Sequence, residues 1–140
     1  MHNISTLKTR SSHAPDEWQL RVDLAAAFRL VAHYNWHEAV ANHLSLAVSP
    51  DGKTFLMNPR WRHFSRIKAS ELLLLDSTDS ETMNRPDAPD LTAWCLHGRL
   101  HAALPQARCI IHLHPTYGTV LASLTDPEIL RKGMKANEYS

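Results

Sequence analysis

Residues 107–122 read Ala107-Arg108-Cys109-Ile110-Ile111-His112-Leu113-His114-Pro115-Thr116-Tyr117-Gly118-Thr119-Val120-Leu121-Ala122, an apolar strand that runs into two histidines and stops at a proline. The spacing predicts a strand over 109–114 and a short helix over 116–124. Alternate residues of a strand project from one face, so the imidazoles of His112 and His114 stand side by side, about 6.5–7 Å apart at the backbone. Two histidines placed in this way either converge on one divalent ion or line a polar pocket and hydrogen-bond within the sheet. A catalytic metal usually takes three protein ligands and keeps an open position, so a third ligand would come from His97, His43 or a group near the C-terminus.

Upstream of this strand, Asp90 is a good N-cap for a helix that Pro105 ends, with Ala93, Leu96, Leu100, Ala103 and Leu104 on its apolar face and His97 and His101 one turn apart beside it. The two histidines are either a proton-transfer pair or structural. The polar stretch 77–89 holds two prolines and reads as a long loop. Leu72 to Leu75 is a continuous apolar run, short enough for a fully buried strand, with a possible helical turn over 68–71 before it.

Between residues 43 and 57 the apolar period is two. Leu44, Leu46 and Val48 alternate with His43, Ser45 and Ala47, the pattern of a half-buried strand, and Ser49-Pro50-Asp51-Gly52 supplies the turn into a second strand at residues 54–57. The pair predicts an antiparallel hairpin. Residues 16–35 carry a helical stripe of Leu20, Leu24, Phe28, Val31 and Ala32, capped by Asp16, with Arg21, Asp23 and Arg29 on the polar face. Residues 1–14 lack apolar periodicity and read as a flexible arm, so a single domain over 15–140 is expected. Strands interspersed with helices point to an α/β or α+β sandwich with helices packed on a mixed sheet.

Composition narrows the function. The chain has 140 residues, 44% hydrophobic and 21% charged, with a net charge of +1, too balanced for a general polyanion binder. No nucleic-acid clamp accompanies its basic residues, and no apolar run approaches the ~20 residues of a membrane span. A cytoplasmic protein with no nucleic-acid or membrane partner is the simplest expectation. Cys95 and Cys109 lie in apolar stretches without a C-x-x-C spacing and read as buried reduced thiols. Ten histidines are the compositional oddity. His2, His13, His33, His37 and His63 show no mutual spacing that favours chemistry, and Trp18, Trp36 and Trp94 read as core or interface anchors.

One segment resists a structural reading alone. Arg60-Trp61-Arg62-His63-Phe64-Ser65-Arg66 gathers three arginines and two aromatics, and guanidinium groups suit carboxylate or phosphate. The alternative is a solvated basic loop with Trp61 and Phe64 tucked onto the core.

Taken together, these residues resemble the class II aldolase/adducin family. The resemblance rests on His112-Leu113-His114-Pro115 with its flanks, on Phe28-Arg29-Leu30-Val31-Ala32, Asn42-His43-Leu44-Ser45, Phe55-Leu56-Met57-Asn58-Pro59, Ala69 to Asp76, and Leu96-His97-Gly98-Arg99-Leu100-His101, in the family's order and approximate spacing. It covers about residues 18–124 and implies a three-layer α/β/α sandwich, commonly a cyclic tetramer with the active site between subunits. In the family's sugar-phosphate aldolases three histidines hold a zinc ion that polarises the substrate carbonyl.

By position, the resemblance assigns His112 and His114 to a metal, zinc or another divalent ion. His97 becomes the nearest acid/base group, and Asn42, Ser45, Arg60 and Arg62 bind a small-molecule substrate. It also marks departures. Ala93 stands where the aldolases carry a proton-moving Glu, and an alanine cannot move a proton. The family's Gly before Asn42 is Ala41, its Pro-Xaa-Gly turn has become Pro59-Arg60-Trp61, and the domain is expected to be incomplete at its C-terminus. The variant is closer to the adducin-like branch. Two functions follow: a metal-dependent lyase-like protein acting on a small oxygenated carbonyl or carboxylate compound, or a non-catalytic adducin-like oligomerising or binding module.

Overall fold

The computed structural model describes residues 15–38, 41–125 and 128; the expected arm over residues 1–14 lies outside them. Helix α1 (Pro15–His33) is followed by strands β1 (His43–Ala47), β2 (Thr54–Met57) and β3 (Leu73–Asp76), helix α2 (Leu91–Ala103), strand β4 (Cys109–His112) and helix α3 (Thr116–Ala122). The sheet order is β3-β2-β1-β4, and every pairing among the described strands is antiparallel. The mixed sheet expected from the sequence is corrected here. Helix α2 does not link neighbouring parallel strands; it carries the chain across the sheet, from one edge at β3 to the other at β4.

The sheet is the middle of three layers. On one face, Leu24, Ala25, Phe28 and Val31 of α1 pack with Leu44, Leu56, Phe64, Ile67 and Leu72. Phe28 and Phe64 meet edge to face at 4.6 Å, and each fully buried Leu or Phe contributes about 1.5–3 kcal/mol. On the other face, Phe55, Met57, Leu73 and Leu75 pack with Ala93 of α2.

Arg21, expected on the polar face of α1, is buried instead. Its guanidinium pairs with Glu17 at 2.8 Å and donates to the backbone carbonyls of Leu72 at 2.6 Å and Ala69 at 3.3 Å. These carbonyls belong to the loop that leads into β3, so the arginine supplies donors that this loop lacks.

The β1–β2 hairpin forms as its turn chemistry predicts. Ser49 Oγ donates to Asp51 at 2.6 Å, and Thr54 N–H donates back to Ser49 Oγ at 2.9 Å. Gly52 sits at φ 74°, where a Cβ would come within 2.2 Å of the His101 carbonyl oxygen. A glycine therefore lets the end of α2 rest on the hairpin.

Other expectations are corrected by position. Strand β1 is buried on both faces rather than half-buried, with His43 and Ser45 as deep as Leu44. Strand β3 is an edge strand, so Leu72–Leu75 does not run fully buried and Leu74 faces outward. Strand β4 ends at His112, which leaves His114 just past it. Both cysteines are free and exposed, not buried.

Helix α2 begins on Asp90, whose carboxylate accepts from Thr92 N–H and Ala93 N–H. Its buried residues are Ala93, His97, Gly98 and His101, while Leu96 stands 42% exposed. The helix is thus rotated relative to the apolar stripe. The sheet surface beneath it presents His43 and Ser45, and covering them with leucine would leave two or more buried polar groups unpaired, at about 1–3 kcal/mol each. That exceeds what burying one leucine returns, about 1.5–3 kcal/mol.

Candidate functional site

The polar face of the sheet carries a chain of hydrogen bonds whose direction is set from one end. His101 Nδ1 lies 3.0 Å from the carbonyl oxygen of Ala107, which only accepts, so the His101 proton is on Nδ1 and its Nε2 is an acceptor. Ser45 Oγ, 2.7 Å away, donates its single proton to that Nε2. The same oxygen then accepts from Nδ1–H of His97 at 2.5 Å. The Nε2 of His97 is in turn left to accept from Nδ1–H of His43 at 2.7 Å. The relay ends on His43 Nε2, a lone pair with no hydrogen-bond partner among the described residues.

Burial agrees with neutral rings throughout. His97 and His101 are wholly buried, and burial together with the neighbouring His43 and His101 pushes His97 down to about 3. Burial and the facing His112 push His43 down to about 4. His101 is also lowered, chiefly by burial.

The β1–β4 register sets His43 opposite His112, and their rings stack at 4.7 Å and 15°. From there the site turns outward. His112 Nε2 and His114 Nε2 approach to 3.1 Å, and His114 Nδ1–H donates to Glu38 at 2.7 Å. A carboxylate on Nδ1 makes His114 Nε2 an acceptor, which takes the proton of His112 Nε2–H; a carboxylate in that position is also the usual outer support of a metal-bound imidazole. The spacing also suits two ligands of one ion with bonds of about 2.0–2.1 Å. Burial and the proximity of His114 lower His112. Among the described residues no group of three or more His, Cys, Asp or Glu is arranged to hold a metal, so this pair fits as part of a site.

Beside the relay, a cavity of about 370 Å³ is lined by His37, Asn42, His43, Arg60, Trp61 and Phe64, among others. That volume suits a small molecule. Asn42 Oδ1 accepts from Glu38 N–H, which fixes the orientation of its amide and leaves a buried Nδ2–H without a partner. Ser65 N–H donates to His63 Nδ1, so His63 carries its proton on Nε2 and donates it to His37 Nε2 at 3.1 Å. His37 therefore has its own proton on Nδ1, buried and unpaired, and Asn58 Oδ1 is likewise unpaired. All three residues, His37, Asn42 and Asn58, line the cavity, and these polar atoms are themselves buried. Ala93 lies on the same wall, with no group that exchanges a proton.

The sequence-derived candidates divide into two sets. Asn42, Arg60 and Arg62 line the cavity, and His112 and His114 meet at the rim of the sheet. Ser45 and His97 lie behind His43, fully buried inside the relay. Arg62 pairs with Glu71 at 2.7 Å; Arg60 has a looser contact with Asp90 at 4.0 Å and lies over the Trp61 ring, 4.8 Å from its centroid. Sequence reasoning missed Glu38 and the His37–His63 pair, which only the fold brings together; His37 and His63 are 26 residues apart.

The chain matches the family of the Class II Aldolase and Adducin N-terminal domain over residues 22–139. It is 34% identical, over 76% of its length, to a Pseudomonas aeruginosa protein named for aldolase class 2, of which it covers 40%. It is 32% identical to human beta-adducin over 81% of its length and 16% of that protein. Among solved structures, L-fuculose 1-phosphate aldolase from Glaciozyma antarctica superposes with a TM-score of 0.70 at 26% identity, over 80% of this chain and 46% of that one. The chain spans less than half the length of each of these proteins.

Proposed function

Because the chain belongs to the class II aldolase and adducin family, we propose that it is a divalent-metal-dependent, lyase-like protein that acts on a small oxygenated carbonyl or carboxylate compound. The observation that carries this reading is the 3.1 Å approach of His112 Nε2 and His114 Nε2, with Glu38 on the far nitrogen of His114. These two residues would hold the ion, and zinc would suit their imidazole donors. When bound, such an ion draws charge from a substrate oxygen.

The chain's own residues do the rest. Arg60 and Arg62 hold an anionic end of the substrate at the cavity mouth, and Asn42 Nδ2–H supplies a donor inside. His43 Nε2, the open end of the relay, takes the proton that Ala93 cannot. His97 and Ser45 act through His43, holding its ring and tautomer, and do not touch the substrate. The protein works in the cytoplasm as a homo-oligomer, tetrameric on the family pattern, without nucleic-acid or membrane partners. No helix among the described residues is long and apolar enough to cross a membrane.

Metal analysis tests the reading directly. The purified protein is expected to carry zinc or another divalent ion, and His112→Ala or His114→Ala to lose most of it. Wild-type protein with no metal above background overturns the proposal.

A second reading, a non-catalytic adducin-like binding module, is favoured by Ala93 on the cavity wall. Without a carboxylate there, cleavage of sugar phosphates is expected to be absent or very slow, and Ala93→Glu to restore part of it. Brisk cleavage by the wild-type protein would exclude the binding module and the need for that carboxylate together.

A further inference from the structure

The cavity mouth contains a backbone anomaly. Three described residues have φ in the left-handed region: Asn35 at 55°, Gly52 at 74° and Trp61 at 65°. Asparagine and glycine adopt this conformation readily; a bulky aromatic residue there is an outlier, and such outliers gather at ligand sites. Trp61 returns little packing for the strain, since it is 74% exposed. Its indole lines the cavity together with Phe64 and Met57.

Cations stand at the same mouth: the Arg60 guanidinium lies over the indole, 4.8 Å from its centroid and 4.0 Å from Asp90, with Arg62 beside it. We propose that Trp61 is a stacking platform and that the cavity's ligand is a planar, aromatic or conjugated carboxylate. Its ring lies against the Trp61 indole, and its carboxylate faces Arg60. Glu71 holds Arg62 at 2.7 Å whereas Asp90 lies 4.0 Å from Arg60, so of the two arginines Arg60 is the one freer to meet the carboxylate. An indole face stacks a flat π system, and a guanidinium beside it favours a carboxylate over a neutral ring. This inference rests on the cavity being the substrate site of the proposed function, and it assigns the substrate class.

Benzoate is the probe, titrated into the full chain by calorimetry beside cyclohexanecarboxylate and inorganic phosphate. Benzoate is expected to bind, and the saturated acid and phosphate to bind at least several-fold more weakly. Trp61→Gly and Arg60→Met should each weaken benzoate by about tenfold, while Trp61→Phe retains most of the binding. Trp61→Gly should also raise the melting temperature by about 2–4 °C, because it relieves the left-handed strain.

A wild-type chain that ignores benzoate, or a Trp61→Gly variant that binds it equally well, overturns the proposal. So does a fall in melting temperature for Trp61→Gly, which would make the indole structural; Trp61→Asn, which tolerates the same backbone, then checks that the loop still folds. Metal content is measured on the same wild-type sample as benzoate binding. The metal reading and the ligand reading therefore fail separately: one on metal content, the other on benzoate.

Discussion

Within the relay an extra proton has no place, because His97 and His101 each accept through Nε2; the open end, His43 Nε2, is the one atom that can take a proton, and burial opposes it there. The unfolded chain has no such restriction, and its histidines titrate near 6.5. With His43 lowered to about 4 and His97 to about 3 by burial, the unfolded state binds more protons between those values and pH 6.5. Stability therefore rises with pH through that window and is lost as pH falls through it. At pH 5 the loss relative to pH 7 is on the order of 2 kcal/mol for each of the two histidines. Hydrogen-bonded carboxylates such as Asp51 and Asp76 are shifted below 3.8, so their contribution is still intact at pH 5. Urea unfolding at the two pH values checks this, and equal midpoints would mean that the imidazoles are not neutral in the fold.

At the scale of elements, the contact between α2 and the hairpin turns on one missing side chain. Gly52→Ala puts a methyl group 2.2 Å from the His101 carbonyl at φ 74°, so a loss of at least about 2 kcal/mol is expected, and thermal unfolding measures it. The elements themselves were largely legible: the alternation of Leu44 and Leu46 with His43 and Ser45 marks β1, and Asp90 and Pro105 bracket α2. The facing of α2 was not, because apolar periodicity ranks Leu96 inward and takes no account of the polar groups that the sheet presents to the helix. His112 and His114 were visible as a pair through their spacing. His43 Nε2 as the relay's end, the support from Glu38 and the His37–His63 contact depend on strand register and loop closure, which no local pattern encodes.

At the scale of the whole molecule, Ile111, Tyr117 and Val120 expose large apolar surfaces on β4 and α3, more than half of each side chain. Strand β4 is also an edge of the sheet. Apolar patches and open edges invite association, so sedimentation at micromolar concentration is expected to show an oligomer; a compact monomer would remove the between-subunit site from the proposal. The relay has a longer reach in time. His97, His101 and Ser45 are the polar part of the packing between α2 and the sheet, so losing any of them costs folding whether or not the protein does chemistry. His112 and His114, nearer the surface, carry no such burden. In a lineage under selection for folding alone, the outer pair would erode first and the inner imidazoles last, leaving descendants that keep a histidine-filled core without its outer pair.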